Sequence, residues 1–332
     1  MSDAVYKKLS LFTLILCFGI VVLGAYVRLS DAGLGCPDWP GCYGKILVPA
    51  AEVAQAHAGH ADRPLEAAKA WKEMVHRYFA SSLGLLIIAL AVFGWKRGLP
   101  RSLLLGLVGV VIFQGILGMW TVTWQLKPLA VSAHLLGGMT TLSMLLWLRL
   151  LLNPAPIGAG LSALRGFAAA ALLVLIGQIF LGGWTSSNYA ALACPDFPTC
   201  HGQWWPADTD FSNAFVLWHG LGINFEYGIL ESPARTAIHL THRVGAVVTA
   251  LTLFTLALCI WRRTQAGGLA LLLGGALTLQ LALGIASVKL GLPLLIAAAH
   301  NAGAALLALV VVAINVQARR ERPVSAAVVA SA

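Results

Sequence analysis

The sequence predicts an all-α, polytopic membrane protein whose eight transmembrane helices form two tandem, pseudo-symmetric four-helix bundles. Three observations predict this fold class: eight long apolar runs, an uneven distribution of basic residues between the connecting segments, and an internal repeat. Of the 332 residues, 59% are hydrophobic and only 11% are charged, whereas soluble domains average about 25% charged residues. A chain of this composition is expected to expose most of its surface to lipid.

The eight apolar runs are each close to the ~20 residues that span a hydrocarbon core. The first run follows Lys7 and Lys8. It is longer than the apolar part of a cleavable signal peptide, and no convincing small-residue cleavage site follows it, so we expect it to remain as the first helix. In order, the runs lie at 9–27, 78–95, 103–122, 129–152, 163–185, 244–261, 268–288 and 292–316.

The basic residues predict the orientation in the membrane. A net charge of +9 could suit a nucleic-acid partner, but these residues lie in small groups at helix ends rather than in one patch, so no nucleic acid is expected to bind. The positive-inside rule predicts a bacterial inner-membrane protein with both termini in the cytoplasm. The cytoplasmic basic residues would then be Lys7, Lys8, Lys96, Arg97, Arg101, Arg149, Arg165, Arg262, Arg263, Arg319, Arg320 and Arg322.

The six cysteines fall into two groups in this topology. Cys17 and Cys259 lie inside apolar runs, where a free thiol behaves as a small hydrophobic group. The other four lie in the two long outer loops, in an oxidising compartment where disulfides form. We expect the pairs Cys36–Cys42 and Cys194–Cys200 because each pair shares a loop, although the sequence alone leaves cross-pairing open.

An internal repeat divides the chain into two halves. The loop segment from Cys36 to Gly44 recurs from Cys194 to Gly202 with a shift of 158, and the later matches are shifted by 166, which indicates an insertion of eight residues in the second long loop. We therefore predict an N-terminal half at 1–152 and a C-terminal half at 153–332, related as parallel repeats are. The later matches pair His76, Arg77, Gln114, Gly118 and His134 with His242, Arg243, Gln280, Gly284 and His300.

The first long outer loop contains a segment of mixed polarity. From 53 to 75, alanine, leucine and tryptophan residues alternate with charged residues. This pattern is typical of an amphipathic helix that lies at the membrane interface. Loops of this length are either functional or poorly ordered, and the proline, tryptophan and cysteine residues in both of them favour order.

Four histidines in matching positions are the main candidates for chemistry. His76, His134, His242 and His300 are expected about one turn into the outer ends of helices two, four, six and eight. One such residue could simply form a hydrogen bond between helices, but an ionisable side chain in a span indicates function. Zinc, copper and haem iron all bind imidazole. Haem is favoured because it needs only two axial ligands and an apolar slot in a four-helix bundle.

Two arginines follow ligand candidates directly. Arg77 and Arg243 lie near the outer surface, where they could offset the charge of haem propionates. The alternative is that these long side chains simply extend to the membrane interface.

These motifs together resemble the haem A synthase family, over about residues 9 to 316. The resemblance is carried by Gly-Ala-Tyr-Val-Arg28-Leu-Ser, by the Cys-Pro-Asp-Trp-Pro-x-Cys loop, by Glu73-x-x-His76-Arg77, and by Ala-x-His239-x-Thr-His242-Arg243-Val-Gly-Ala. It implies an oxidoreductase that converts haem O into haem A by stepwise oxidation of a peripheral methyl group to a formyl group. It also implies that His76 and His134 bind the substrate haem, that His242 and His300 hold a haem b cofactor, that Glu73 takes part in catalysis, and that Cys36 and Cys42 matter for activity.

The resemblance also implies partners. These are haem O synthase, cytochrome oxidase assembly factors, membrane lipid and an electron acceptor that it does not identify. The source of the inserted oxygen stays open as well, and so does the formation of a homo-oligomer.

Glu73 marks an asymmetry between the halves. Its counterpart in the repeat is His239, so only one half carries a carboxylate one turn before a ligand histidine. Residues three apart share a helix face, and Glu73 is therefore expected to act as a proton acceptor or to orient His76. The alternative is a carboxylate that only stabilises the start of a helix. We expect His239 to take the corresponding supporting position, and no essential role for the loop histidines His57, His60, His201 and His219.

Two other functions compete with this interpretation. The loop cysteines could serve a quinone-linked thiol–disulfide oxidoreductase, but five residues separate the partners and Asp38 and Asp196 would oppose a thiolate. A dihaem electron-transfer protein would need the same four ligands. Only Glu73 and the family resemblance favour haem modification over electron transfer.

Overall fold

The computed structural model describes residues 1–51, 53, 64–153 and 160–320. Within these ranges, eight helices are long and apolar enough to cross a membrane, which confirms the predicted all-α fold with eight spans. They are α1 (Asp3–Leu29), α2 (Ala67–Trp95), α3 (Arg101–Thr123), α4 (Pro128–Leu152), α5 (Arg165–Ser187), α6 (Ser232–Arg263), α7 (Gly267–Lys289) and α8 (Leu294–Arg320). A short 3₁₀ helix, Leu161–Leu164, leads into α5, and a one-turn helix, Phe211–Ala214, lies in the second outer loop.

The helix ends follow local chemistry. The side chain of Ser2 caps α1 by accepting a hydrogen bond from the Val5 N–H at 3.4 Å, and a proline lies in the first turn of both α4 and α6, where its missing N–H costs nothing. Basic residues occupy the last turn of α6 and α8, where the helix dipole favours positive charge.

Two helices begin earlier than the apolar runs predict. α2 begins at Ala67 rather than near 78, and α6 begins at Ser232 rather than near 244. The predicted interfacial helix at 53–75 is therefore wrong for its second part, which belongs to α2; most of its first part, residues 54–63, lies outside the described residues. Hydropathy misses these outer turns because they carry charged and histidine side chains. These side chains form hydrogen bonds with the outer loops.

The helices pack as two four-membered rings. In the first half, α1 contacts α2, α2 contacts α3, α3 contacts α4, and α4 returns to α1; the same cyclic order recurs from α5 to α8. The halves meet through α1 with α8, α4 with α5, and α4 with α8. About half of the apolar window of α8 is buried, more than in any other described span, so α8 lies nearest the centre of the molecule.

Each long outer loop contains a compact, disulfide-closed turn. The pairs are Cys36–Cys42 and Cys194–Cys200, as predicted, and Cys17 and Cys259 are free. Within each turn an aspartate carboxylate accepts backbone N–H groups. Asp38 accepts from Tyr43 at 2.6 Å, and Asp196 accepts from His201 at 2.7 Å.

Residues 220–228 of the second outer loop cross over the first half; we call this segment the strap. The Phe225 N–H donates to the Gln125 carbonyl oxygen, in the α3–α4 turn, at 3.0 Å. The Phe225 ring is buried with Leu34, Val122 and Leu126 of the first half. The loop of one half therefore covers part of the outer surface of the other.

Candidate functional site

Each of the four predicted ligand histidines lies against a glycine of the preceding helix. A Cβ atom built on Gly24 would lie 2.9 Å from Cε1 of His76, and one on Gly284 would lie 2.9 Å from Cε1 of His300. The same distance is 3.4 Å for Gly118 with His134 and for Gly182 with His242. The glycines on α1, α3, α5 and α7 thus leave room for the imidazole rings of α2, α4, α6 and α8.

His76 and His242 lie further from their helix starts than predicted. Because α2 and α6 begin early, these residues lie between two and three turns from Ala67 and Ser232, rather than about one. His134 and His300 lie nearer the starts of α4 and α8. The added outer turns carry the residues that hold the disulfide loops.

The histidines pair within each half. His76 and His134 are close enough to interact electrostatically, and so are His242 and His300. All four side chains are partly exposed. The Nδ1 atoms of His76, His134 and His300 are buried without a hydrogen-bond partner in the described part of the chain.

These observations fit a bis-histidine haem site in each half. Haem iron takes two axial imidazoles and needs an apolar slot between helices. The paired rings supply the ligands, the glycines set their depth, and the unpaired nitrogens mark rings whose hydrogen bonding is incomplete within the protein.

Glu73 joins α2 to the first disulfide loop. Its side chain is nearly buried, with 6% exposure. One carboxylate oxygen accepts the Cys36 N–H at 2.9 Å, and the other binds the guanidinium of Arg77. Arg77 also donates to the carbonyl oxygens of Asp38 at 3.0 Å and Gly41 at 2.5 Å. The carboxylate one turn before His76 thus holds the loop above this histidine.

The second half repeats this arrangement with different chemistry. His239 Nδ1 accepts the Cys194 N–H at 3.1 Å, in the place that Glu73 takes at Cys36. Arg243 donates to the carbonyl oxygens of Thr199 at 2.7 Å and Cys194 at 2.9 Å. Arg77 and Arg243, each beside a candidate ligand histidine, therefore bind loop carbonyls, a role that the sequence did not predict.

Arg28, from the family motif in α1, connects the two halves at their outer ends. Its guanidinium donates to the Ser186 carbonyl oxygen at 2.8 Å and to the Tyr189 hydroxyl oxygen at 3.0 Å. The Tyr189 hydroxyl donates to Asp31 at 3.2 Å. Burial raises the pKa of Tyr189, so its hydroxyl keeps the proton that this bond needs.

The sequence prediction missed several residues of the site. It paired Gln114 with Gln280 and Gly118 with Gly284, but it overlooked Gln178 on α5 and the ring-facing glycines Gly24 and Gly182. The sequence does contain a pattern that could have revealed them, since Gln178 and Gly182 are four residues apart, as are Gln114 and Gly118 and also Gln280 and Gly284.

The remaining loop histidines take no part in the described site. The side chain of His201 is exposed, and the ring of His219 lies 6.1 Å from that of Phe225 beside the strap. His57 and His60 lie outside the described residues.

Comparison with known proteins identifies the family. Residues 7–312 match the family described as "Cytochrome oxidase assembly protein", COX15-CtaA. A protein of Shewanella oneidensis named "Heme A synthase" is 48% identical over 309 residues, which cover 91% of this chain and 93% of the relative. A "Heme A synthase" of Caulobacter vibrioides is 28% identical over 91% of this chain and 93% of its own. The chain has eight candidate spans and four histidines at matching positions in its two halves. Together with this match, these features show that the chain belongs to the COX15-CtaA family of cytochrome oxidase assembly proteins.

Proposed function

We propose that this protein is a haem A synthase, which oxidises a peripheral methyl group of haem O in steps to the formyl group of haem A. The observation that carries the proposal is the set of four histidines, each against a glycine and paired within each half. The names of the relatives support the reaction, and the family description supports a role in cytochrome oxidase assembly.

The two halves take different haems in this proposal. His76 and His134, in the half formed by 1–152, bind the substrate haem O. His242 and His300, in the half formed by 153–332, hold a haem b cofactor. The carboxylate of Glu73 supports this assignment, because only the first half has such a group one turn before its ligand.

Glu73 acts as the proton acceptor in the first half. Oxidation of a methyl group to a formyl group releases protons, and a carboxylate near the reacting group can accept them. The Cys36 N–H and the Arg77 guanidinium hold this carboxylate in one orientation. Haem b supplies one-electron redox chemistry when bound.

Arg77 and Arg243 have two roles in this proposal. They fix the disulfide loops through carbonyl oxygens, and their positive charges offset haem propionates at the outer ends of the two slots. The disulfides themselves are structural, since Cys36, Cys42 and Cys194 are 0% exposed and Cys200 is 1% exposed, which does not suit a catalytic thiol pair.

The protein would act in the bacterial inner membrane with both termini in the cytoplasm, as the basic residues at the inner helix ends indicate. The haem sites and disulfide loops would then face the outer compartment. Haem O synthase, which makes the substrate, and the oxidase assembly machinery, which takes the product, are the expected partners, together with an electron acceptor.

The haem content of the purified protein tests the proposal. Haem extracted into pyridine should contain b-type haem together with haem O or haem A. Recovery of b-type haem alone would favour a dihaem electron-transfer protein, and protein that binds no haem would refute both functions.

A further inference from the structure

A cavity lies at the inner end of the first half, which is the end opposite the disulfide loops. Its volume is about 230 Å³, whereas one water molecule needs only ~10–15 Å³. The walls belong to the start of α1, the α2–α3 turn and the end of α4. The lining residues are Asp3, Tyr6, Lys7, Arg97, Leu99 and Leu152. The proposed haem chemistry uses none of these residues.

The second half fills the corresponding place with its own residues. The 3₁₀ helix Leu161–Leu164 contacts α5, α6 and α8 there, and these helices are the counterparts of α1, α2 and α4. Leu161 is 0% exposed and Leu164 is 7% exposed. By the shift of 158 that relates the two disulfide loops, Leu161 corresponds to Asp3, whose side chain is 85% exposed. The first half therefore has no buried leucine at this position, and the space stays open.

Tyr6 closes the cavity towards the membrane interior. Its side chain is 1% exposed, and its hydroxyl donates to the Leu90 carbonyl oxygen at 2.9 Å. A Cβ atom on Gly94 would lie 2.6 Å from this hydroxyl oxygen, so the glycine leaves room for the tyrosine. A molecule bound in the cavity therefore stays at the level of the inner helix ends, where the lipid headgroups lie.

Arg97 supplies the cavity with an oriented guanidinium. Its Cζ atom lies 4.7 Å from the centre of the Tyr6 ring, and Nη1 donates to the Phe93 carbonyl oxygen at 3.0 Å. Nε donates to Asp3 at 3.2 Å, and Nη2 donates to the Met1 carbonyl oxygen. A guanidinium has five N–H donors, so two remain for a bound molecule. Asp3 competes only weakly, because an ion pair with an exposed carboxylate contributes little.

Lys7 and two leucines complete the walls. The Lys7 side chain is exposed, and its ammonium has no hydrogen-bond or ion-pair partner in the described part of the chain. Leu99 and Leu152 add apolar surface. Lys7 and Arg97 carry two positive charges against the one negative charge of Asp3. Basic pockets between helices at a membrane surface bind anionic lipid headgroups, and the leucines suit the hydrocarbon part of such a molecule.

We propose that this cavity binds an anionic phospholipid of the leaflet that surrounds the inner helix ends. The phosphate accepts charge-assisted hydrogen bonds from Arg97 and Lys7, and the glycerol and the first carbons of an acyl chain lie against Leu99 and Leu152. A free phosphate ion has the same polar contacts but leaves the two leucines uncovered. The lipid takes the place in the first half that Leu161 takes in the second.

Native mass spectrometry of the full-length protein with added lipid tests this site. Phosphatidylglycerol is the anionic probe, and phosphatidylcholine, whose headgroup is zwitterionic, is the control lipid. The wild type should bind its first phosphatidylglycerol about tenfold more tightly than phosphatidylcholine, since each cation near an anionic headgroup adds to binding. Arg97→Gln and Lys7→Gln should each weaken phosphatidylglycerol binding by about tenfold, as expected for the loss of one charged hydrogen-bonding group. Lys8→Gln is the matched control, because Lys8 is exposed and does not line the cavity.

Two substitutions of Asp3 separate the effect of charge from the effect of space. Asp3→Asn removes the carboxylate that competes for Arg97, so phosphatidylglycerol should bind about two- to fivefold more tightly. Asp3→Leu removes the same charge but imitates Leu161 of the second half, so its side chain should occupy the cavity and weaken binding below that of the wild type. Charge alone predicts the same change in both variants, whereas the proposed site predicts changes of opposite sign.

Three results would overturn the proposal. One is equal affinity of the wild type for the two lipids, and another is an equal effect of Lys7→Gln and Lys8→Gln. The third is displacement of phosphatidylglycerol by inorganic phosphate at a similar concentration, which would assign the cavity to a free anion. Should Arg97→Gln fail to fold, Lys7→Gln and the two Asp3 variants decide, because they alter exposed side chains. None of these results depends on haem, so failure of this inference would leave the proposed function untouched.

Discussion

Glu73 and His239 occupy matching positions and make the same hydrogen bond, yet they differ in chemistry. Each accepts the N–H of the first cysteine in a disulfide loop, at 2.9 Å and 3.1 Å. Glu73 differs in also forming an ion pair with Arg77, which a histidine at this position could not form. The carboxylate in the first half is therefore the residue at which a structural and a catalytic role can be separated.

Glu73→Gln should reduce haem A formation by roughly 10²–10⁴-fold, the range for loss of a general base. Glutamine keeps the size of the side chain and can still accept the Cys36 N–H, so protein level and both haem sites should be retained. The measurement is the ratio of haem A to haem O extracted from membranes that contain equal amounts of each protein.

His239→Gln is the matched control, because it changes the same loop contact in the other half without removing a carboxylate. It should leave the haem A to haem O ratio near that of the wild type. Equal losses in both variants would mean that loop position, not proton transfer, limits the reaction. A normal ratio in Glu73→Gln would remove the residue from the mechanism.

The sequence indicated the charged and histidine residues of the candidate site better than its small and neutral ones. Histidine and glutamate are rare in apolar helices, and a cysteine pair that recurs in two loops is equally distinctive, so these residues stand out. Gly24 and Gly182 do not, since glycine is common in such helices, and their role depends on which ring packs against them. The carbonyl contacts of Arg77 and Arg243 also depend on the folded loops, which no spacing rule predicts.

At the scale of elements, the second disulfide loop is held by an ionised carboxylate. The hydroxyl of Thr199, together with the N–H groups of Gly202 and His201, lowers the pKa of Asp196 from its usual 3.8. A lowered pKa in the folded state means that the carboxylate stabilises the loop above pH 3.8. This stabilisation is lost as the pH falls below that value towards the folded pKa.

Asp196→Asn should therefore weaken the loop at neutral pH and have less effect in acid. At pH 7 a phosphine should reduce Cys194–Cys200 faster in the variant than in the wild type, and the ratio of the two rates should approach one as the pH falls below 3.8. Comparing the two proteins at each pH cancels the pH dependence of the phosphine itself. A ratio that does not change with pH would contradict this role.

The strap is a second element whose attachment the structure explains. Lys127, at the start of α4, is 1% exposed. Its ammonium lies 3.4 Å from the centre of the Trp218 ring and donates to the Gly220 carbonyl oxygen. A cation over an aromatic face contributes about 0.5–2 kcal/mol, more when it is desolvated, so Lys127 attaches the strap to the first half.

Lys127→Met should loosen the strap while keeping most of the buried side-chain volume. Hydrogen exchange at the Phe225 amide, which bonds to Gln125, should accelerate by about 5- to 30-fold, as a loss of 1–2 kcal/mol implies. The control is Lys289→Met, which replaces an exposed lysine at the α7–α8 turn of the second half. It should leave the exchange rate of the Phe225 amide unchanged. Unchanged exchange in Lys127→Met would assign the attachment to the apolar contacts of Phe225 alone.

Element boundaries were less predictable than element number. Hydropathy detected all eight spans because each contains enough apolar residues to cross the membrane. It placed the starts of α2 and α6 too late because Lys69, Glu73 and Arg235 lower the local average. The strap could not have been predicted, since its contacts join residues about a hundred or more positions apart.

At the scale of the molecule, the four helices of each half pack in the same cyclic order, and the two halves contact each other at several places. α4 and α8 meet near the centre, Arg28 links α1 to the end of α5, and the strap carries the second loop over the first half. The assembly contains two similar candidate sites with different surroundings. Variants at the ligands can therefore separate the function of one half from that of the other.

His242→Ala or His300→Ala should strip a tightly held b-type haem, because a bis-histidine site that loses one axial ligand becomes unsaturated. His76→Ala or His134→Ala should instead abolish haem A formation while most of the b-type haem remains. The visible spectrum of each purified variant reports the low-spin haem, and extraction of the membranes reports the product. The four variants serve as controls for one another, since each alters one ring of the same type against a glycine. An unchanged low-spin spectrum after loss of His242 or His300 would contradict the assignment of the cofactor to the second half, and continued haem A formation without His76 would contradict the assignment of the substrate to the first.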